Sequence, residues 1–159
     1  MDARWKAALC EAAVSGAAGS LLSAGALAIA GERERHAPAA PINGPSQWLW
    51  GRREAARATR ADVRHTLVGY VVHHVASTFW AVLHARALGS WRMASRPGPA
   101  LAAAAATSAI AAVVDLKFTP ERLTPGFQHR VSRPALAVVY ACFALGLAAG
   151  SLAVRNARR

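Results

Sequence analysis

Four long apolar runs divide the chain, at residues 7–30, 66–88, 98–115 and 134–153. They are 24, 23, 18 and 20 residues long, and a helix needs about 20 apolar residues to cross the hydrocarbon core of a bilayer. The pattern predicts an all-α bundle of four transmembrane helices, the third of marginal length. Because four is an even number, both termini lie on one side of the membrane, called side A here, and the opposite side is side B.

The second run carries a polar stripe. On a helical wheel its polar positions fall within about 40° of one line, and these positions are Thr66, Tyr70, His73, Ser77 and His84. Ionisable groups at membrane depth are costly unless they face a partner, a cavity or a ligand. The stripe is therefore the predicted place for a ligand or proton site, with His65 at its side B end.

His73 and its neighbour His74 leave several interpretations open. Neutral histidines that bond to hydroxyls or carbonyls across the bundle would have a structural role alone. Imidazole also suits haem iron or a transition metal, and a polar stripe suits proton movement. Haem ligation within one chain lacks a second histidine, because the other three runs contain none. We expect no cofactor, with haem or a metal as the alternative.

Acid–base pairs are predicted near both membrane faces, because pairing offsets the cost of a charge in an apolar environment. The predicted pairs are Glu11 with His84 or Arg86 near side A, and Asp115 with His65 or Arg64 near side B.

The segment between the first two runs has two parts. Residues 36–45 contain three prolines and a glycine, which predicts a linker. Residues 46–62 regain helical character, and tryptophans followed by arginines favour an amphipathic helix lying in the membrane interface. Its role is anchoring, partner docking or the binding of an anionic head group, and the residues concerned are Asn43, Trp48, Trp50, Arg52 and Arg53.

Small residues recur at helical spacing in the first and fourth runs. Such faces let two helices approach closely, within one bundle or between copies. They are Gly16, Ser20 and Ser23 in the first run and Gly146 and Gly150 in the fourth. The third run is rich in alanine and too weakly apolar to face lipid on all sides, so we expect the other helices to surround it.

Composition narrows the class of protein. The 159 residues leave room for one domain, and the net charge of +11 comes mainly from arginines between the apolar runs. There they meet lipid head groups, so the bilayer and not nucleic acid is the expected partner. The two sides carry similar numbers of basic residues. Those of side A lie in short segments, which favours cytoplasmic termini.

Motifs of hydrolytic or transfer enzymes are missing: the sequence has no GxSxG, HExxH, P-loop or GxGxxG. The small-residue faces favour a non-enzymatic accessory or assembly protein, associated with itself or with a larger membrane complex. The alternative is a membrane protein that handles a ligand, a metal, haem or protons through the histidine stripe.

Three strings carry a resemblance to a known group. They are INGPSQWLWG at residues 42–51, RHTLVGY at 64–70 running into His73 and His74, and RLTPGF at 122–127. Together they resemble a group of small, uncharacterised four-span bacterial inner-membrane proteins. The resemblance implies a bacterial inner-membrane location and no activity. Gln47 stands where a histidine is expected in such proteins, which argues against a metal site centred on that loop.

Overall fold

The computed structural model describes residues 2–89 and 92–158. Four of its helices are long and apolar enough to cross a membrane, and the described residues contain no strand. The predicted all-α bundle of four such helices is confirmed, and the chain is a small multi-pass membrane protein. These helices are α1 (Ala3–Arg35), α5 (Val68–Leu88), α6 (Pro97–Val113) and α7 (Arg133–Ala157).

Helix α1 lies at the centre of the bundle and packs against α7 and α5. The small residues make this possible. A Cβ atom added at Gly146 would lie 2.5 Å from the Ala18 carbonyl oxygen, Gly150 lies against Ser15, and Gly16 lies against α5. The predicted small-residue faces are thus occupied by contacts within the chain.

Helix α6 lies at the edge of the bundle. It packs mainly on α7, and 22% of its most apolar stretch is buried, against 44% for α1. The expectation that the alanine-rich span is surrounded was wrong. The close contact between α1 and α7, which their glycines allow, fills the centre instead.

The segment between α1 and α5 is a series of short helices and not one helix over 46–62. It forms α2 (Ala39–Asn43), a 3₁₀ turn at Gly44–Ser46, α3 (Gln47–Trp50) and α4 (Arg52–Arg57). Gly51, with a φ of +82°, separates the last two. That left-handed conformation is one that glycine adopts at no steric cost. Much of the expected linker is buried, including Asn43 and Pro45.

Two π-helical turns mark the side B ends of α5 and α6, at Val63–Leu67 and Val114–Phe118. Such turns are rare and frequently occur at functional sites. The two helices contact each other through His84 and Thr107, and towards side B residues of both line one cavity.

Candidate functional site

The first and third of the strings singled out in the sequence fold against each other at side B. The Gln47 side-chain amide donates to the Thr124 carbonyl oxygen at 2.8 Å and to the Thr124 hydroxyl at 3.0 Å. The Trp48 indole N–H donates to the same carbonyl at 3.2 Å. Gly44 lies against the backbone of Gly126 and Phe127, with no room for a Cβ atom. Residues 42–48 and 122–127 therefore form one packed unit, called the loop layer below.

Asn43 fixes the loop layer to the start of α5. Its amide nitrogen donates to the carbonyl oxygens of Ala58 and Arg60, both at 3.0 Å, and its Oδ1 accepts from the Thr66 hydroxyl at 2.7 Å. The side chain is fully buried. Asn43, predicted as part of a head-group surface, holds the loop in place instead.

A cavity of about 60 Å³ lies beneath the loop layer. Helices α1, α5, α6 and α7 supply its walls, and Pro45, Trp48, Pro125 and Phe127 of the loop layer cover it. Its polar lining consists of Ser23, His73, Ser77, Asp115 and Tyr140. Two residues of the predicted stripe therefore meet the predicted acid of α6 around a single space.

Asp115 is bound by a phenol and not by a base. The Tyr140 hydroxyl donates to its Oδ2 at 3.3 Å, and Asp115 takes part in none of the ion pairs among the described residues. The predicted pairing with His65 or Arg64 was wrong, because those two residues pair with Asp62 and Glu54 instead.

His65 and Arg64 instead form an acid–base cluster at the start of α5. His65 Nδ1 lies 3.0 Å from Asp62 Oδ2, and Arg64 Nη2 lies 2.7 Å from Glu54 Oε1. The backbone N–H of His65 donates to Asp62 and lowers the pKa of that carboxyl group. Arg64 also stacks on the Trp50 ring, 4.6 Å from its centroid, so Trp50 joins the loop to α5.

The predicted pairs near side A were also wrong. Glu11 accepts from Arg155 Nε at 2.9 Å, and both side chains are buried. Arg86 lies over the Trp5 ring at 5.3 Å, and His84 bonds to Thr107. The cause is the packing of α1 on α7, which brings Glu11 to the last turn of the chain.

Three histidines of α5 attach it to its neighbours in the same way. Ser23 Oγ donates its hydrogen to the Gly19 carbonyl oxygen at 2.7 Å, so the bond of 2.9 Å to His73 Nε2 requires the ring N–H to donate. His74 Nδ1 bonds to Ser20 at 2.8 Å, with the Tyr70 hydroxyl 3.4 Å from the same oxygen, and His84 Nδ1 bonds to Thr107 at 2.8 Å.

The histidines thus bond to separate hydroxyl groups and do not face a common ligand. Within residues 2–89 and 92–158, no group of three His, Cys, Asp or Glu side chains is arranged to hold a metal ion. With Nε2 of His73 donating to Ser23, its Nδ1 is the ring atom left to accept a hydrogen bond, and His73 lines the cavity.

Sequence reasoning missed the aromatic walls. Trp80, Phe127, Tyr140 and Phe143 line the cavity, yet they come from three separate elements and share no motif.

Comparison with protein-family models, curated proteins and solved structures finds no match. The chemistry of the cavity is therefore argued from its own residues.

The histidine–hydroxyl bonds lead to a testable prediction. Ser20→Ala and His74→Ala are each expected to lower the free energy of unfolding, and their coupling energy in a double-mutant cycle is expected to be about 1 kcal/mol. Unfolding by dodecyl sulfate titration in mixed micelles measures it. The control cycle pairs Ser20→Ala with His84→Ala, whose side chains bond to different residues, and should give no coupling. Equal coupling in both cycles would refute the assignment.

Proposed function

We propose that this small integral membrane protein binds a small organic cation in the cavity beneath the loop layer. The proposal rests on one observation: a carboxylate without a basic partner shares the cavity with four aromatic side chains besides the Tyr140 that bonds to it. The carboxylate is Asp115, and the other rings are those of Trp48, Trp80, Phe127 and Phe143.

A cation would satisfy both parts of this lining. A carboxylate in an apolar wall is costly unless it is paired. The partners of Asp115 are neutral: the Tyr140 hydroxyl donates to it at 3.3 Å, and the Trp80 indole N–H also interacts with it. Aromatic faces attract ammonium groups through their quadrupole, most strongly in tryptophan. No lysine or arginine of the described residues lines the cavity, so none of their permanently charged side chains competes for this place.

The cavity volume limits the ligand. About 60 Å³ accommodates a few water molecules or a small ammonium head group, whereas sites for drug-sized molecules occupy about 300–1,000 Å³. His73 and Ser77 add polar side chains to the same lining. Methylated or primary ammonium groups are therefore the class of ligand that this site favours.

Assembly with itself or with a larger complex was the function favoured by the sequence, and it stays a prediction. The small-residue faces that supported it pack between α1, α5 and α7. A partner would have to use another surface.

The location we propose is the inner membrane of a bacterium, with cytoplasmic termini. Its support is the resemblance carried by the three strings, together with the basic residues in the short segments on side A. Four candidate spans agree with a multi-pass protein in any membrane.

Titration of the detergent-purified full chain with methylammonium and tetramethylammonium chloride tests the cation site, with tryptophan fluorescence and calorimetry as readouts. We expect saturable binding that Asp115→Asn weakens about 30-fold or more, because a desolvated charge pair is worth about 2 kcal/mol or more. Asparagine keeps the shape of the side chain and can still accept from Tyr140.

The control variant is Glu54→Gln, which removes an exposed acid outside the cavity and should leave the affinity unchanged. Sodium chloride at equal ionic strength controls for screening. Absence of saturable binding in the wild type, or equal affinity in Asp115→Asn, would overturn the proposal.

A further inference from the structure

We propose that a second cavity, lined by other residues of the loop layer, binds a phosphate group. This cavity has a volume of about 240 Å³. Gly44, Gln47 and Gly126 of the loop layer contribute to its lining, and so does α4. The loop layer therefore contributes to two cavities of different chemistry.

The lining of the second cavity is basic. Arg52, His129 and Arg130 contribute to it, and none of the described residues that line it is acidic. Arg130 is held in place, since its Nη2 donates to the Ala55 carbonyl oxygen at 2.5 Å. The rest of its guanidinium group, which has five N–H donors, remains for a ligand.

A second guanidinium group approaches from α1. Arg35 Nε donates to the Arg130 carbonyl oxygen at 2.9 Å. Burial, and after it the charge of Arg35, lowers the pKa of Arg130. Two like charges held close together repel each other, and a bound anion would offset that repulsion.

The neighbouring acids already have partners. Glu121 pairs with Arg52, a lining residue, whereas neither Arg130 nor Arg35 forms an ion pair with a carboxylate of the described residues. Glu34 accepts from the backbone N–H and the hydroxyl of Ser132, at 2.8 and 2.6 Å. An external anion is therefore the partner that this cluster lacks.

Phosphate fits the site better than a smaller anion does. The planar guanidinium group binds phosphate through two parallel hydrogen bonds, and 240 Å³ exceeds the volume of the phosphate group alone. The cavity adjoins α4, the helix that follows Trp48 and Trp50. Tryptophan is the type of residue that marks the head-group level of a bilayer. The phosphate can come from a lipid head group or from a free phosphate ester.

The test measures binding of two probes to the full chain in a non-ionic detergent: short-chain phosphatidylglycerol and inorganic phosphate. Calorimetry and ³¹P resonance broadening report saturation. We expect Arg130→Gln to weaken binding about tenfold, because a hydrogen bond between charged groups is worth about 1.5 kcal/mol or more. Arg60→Gln, which removes the same charge from an exposed position outside the cavity, should have no effect.

Two further variants guard against misfolding as the cause. His129→Gln removes a lining group, and Arg35→Gln removes the approaching cation, while both leave the Arg130–Ala55 bond intact; each is expected to weaken binding. Binding of the lipid alone assigns the site to a head group, and equal binding of both probes assigns it to phosphate itself; either supports the proposal. If neither probe saturates, or if Arg60→Gln weakens binding as much as Arg130→Gln does, the proposal is overturned.

Discussion

Replacing Arg155 with methionine is expected to lower the free energy of unfolding by about 3–5 kcal/mol, because Glu11 would remain as a buried carboxylate without a counter-ion. Arg155 Nε donates to Glu11 Oε1 at 2.9 Å, and Nη1 donates to the Leu88 carbonyl oxygen at 3.2 Å. One side chain of α7 thus joins α1 and the end of α5. Dodecyl sulfate titration of the purified protein, followed by circular dichroism, measures the loss.

Two companion variants make this prediction specific. Combining Arg155→Met with Glu11→Gln removes both charges and should recover much of the stability, since replacing a buried pair as a whole is often nearly neutral. Arg158→Met removes an exposed arginine of the same turn, whose contact with the Ala7 carbonyl oxygen is 3.4 Å long, and should change stability little. Equal losses in Arg155→Met and Arg158→Met would show that the buried pair is not the cause.

Replacing Gly69 with alanine is expected to cost about 3 kcal/mol, because the added methyl group would collide with the Ile42 carbonyl oxygen. The loop cannot shift easily at that point, because the next residue, Asn43, makes three hydrogen bonds to the segment that precedes α5. Separation of α5 from the loop layer would also disturb the cover of the cation cavity, so ammonium binding should weaken together with stability.

Gly25→Ala is the matched control. It makes the same change in the middle of α1, where a Cβ atom would meet nothing within 4 Å, and alanine favours a helix over glycine by about 1 kcal/mol. Stability should therefore hold or rise. A Gly69→Ala protein as stable as the wild type would mean that the loop layer does not pack on α5 as described.

The length and apolar character of the four runs were enough to predict the four membrane-crossing helices, because the thickness of a bilayer sets both quantities. The neighbours of each helix were not predictable in the same way. Glu11 was expected to meet His84 or Arg86, residues at a comparable depth, but depth alone does not say which helix lies beside α1. The packing of Gly146 on Ala18 decides that, and it places Arg155 there.

Helical periodicity predicted one part of the candidate site. The 3.6-residue period placed His73 and Ser77 on one face of a helix, and both line the cavity. Periodicity within one helix carries no information about other elements, so the aromatic walls and the pairing of Tyr140 with Asp115 were missed. The break at Gly51 was missed because the helical pattern of polar and apolar residues continues through it.

The pairing of the first helix with the last has a consequence for biosynthesis. About 120 residues separate the end of α1 from the end of α7, and at about 5–20 residues per second their synthesis takes roughly 6–24 s. During that interval α5 emerges and covers Ser20 and Ser23, but Glu11 lies in the bilayer without Arg155. A chain that terminates before Arg155 therefore keeps an uncompensated acid in α1, so the buried ion pair forms only when synthesis of the last helix is nearly finished.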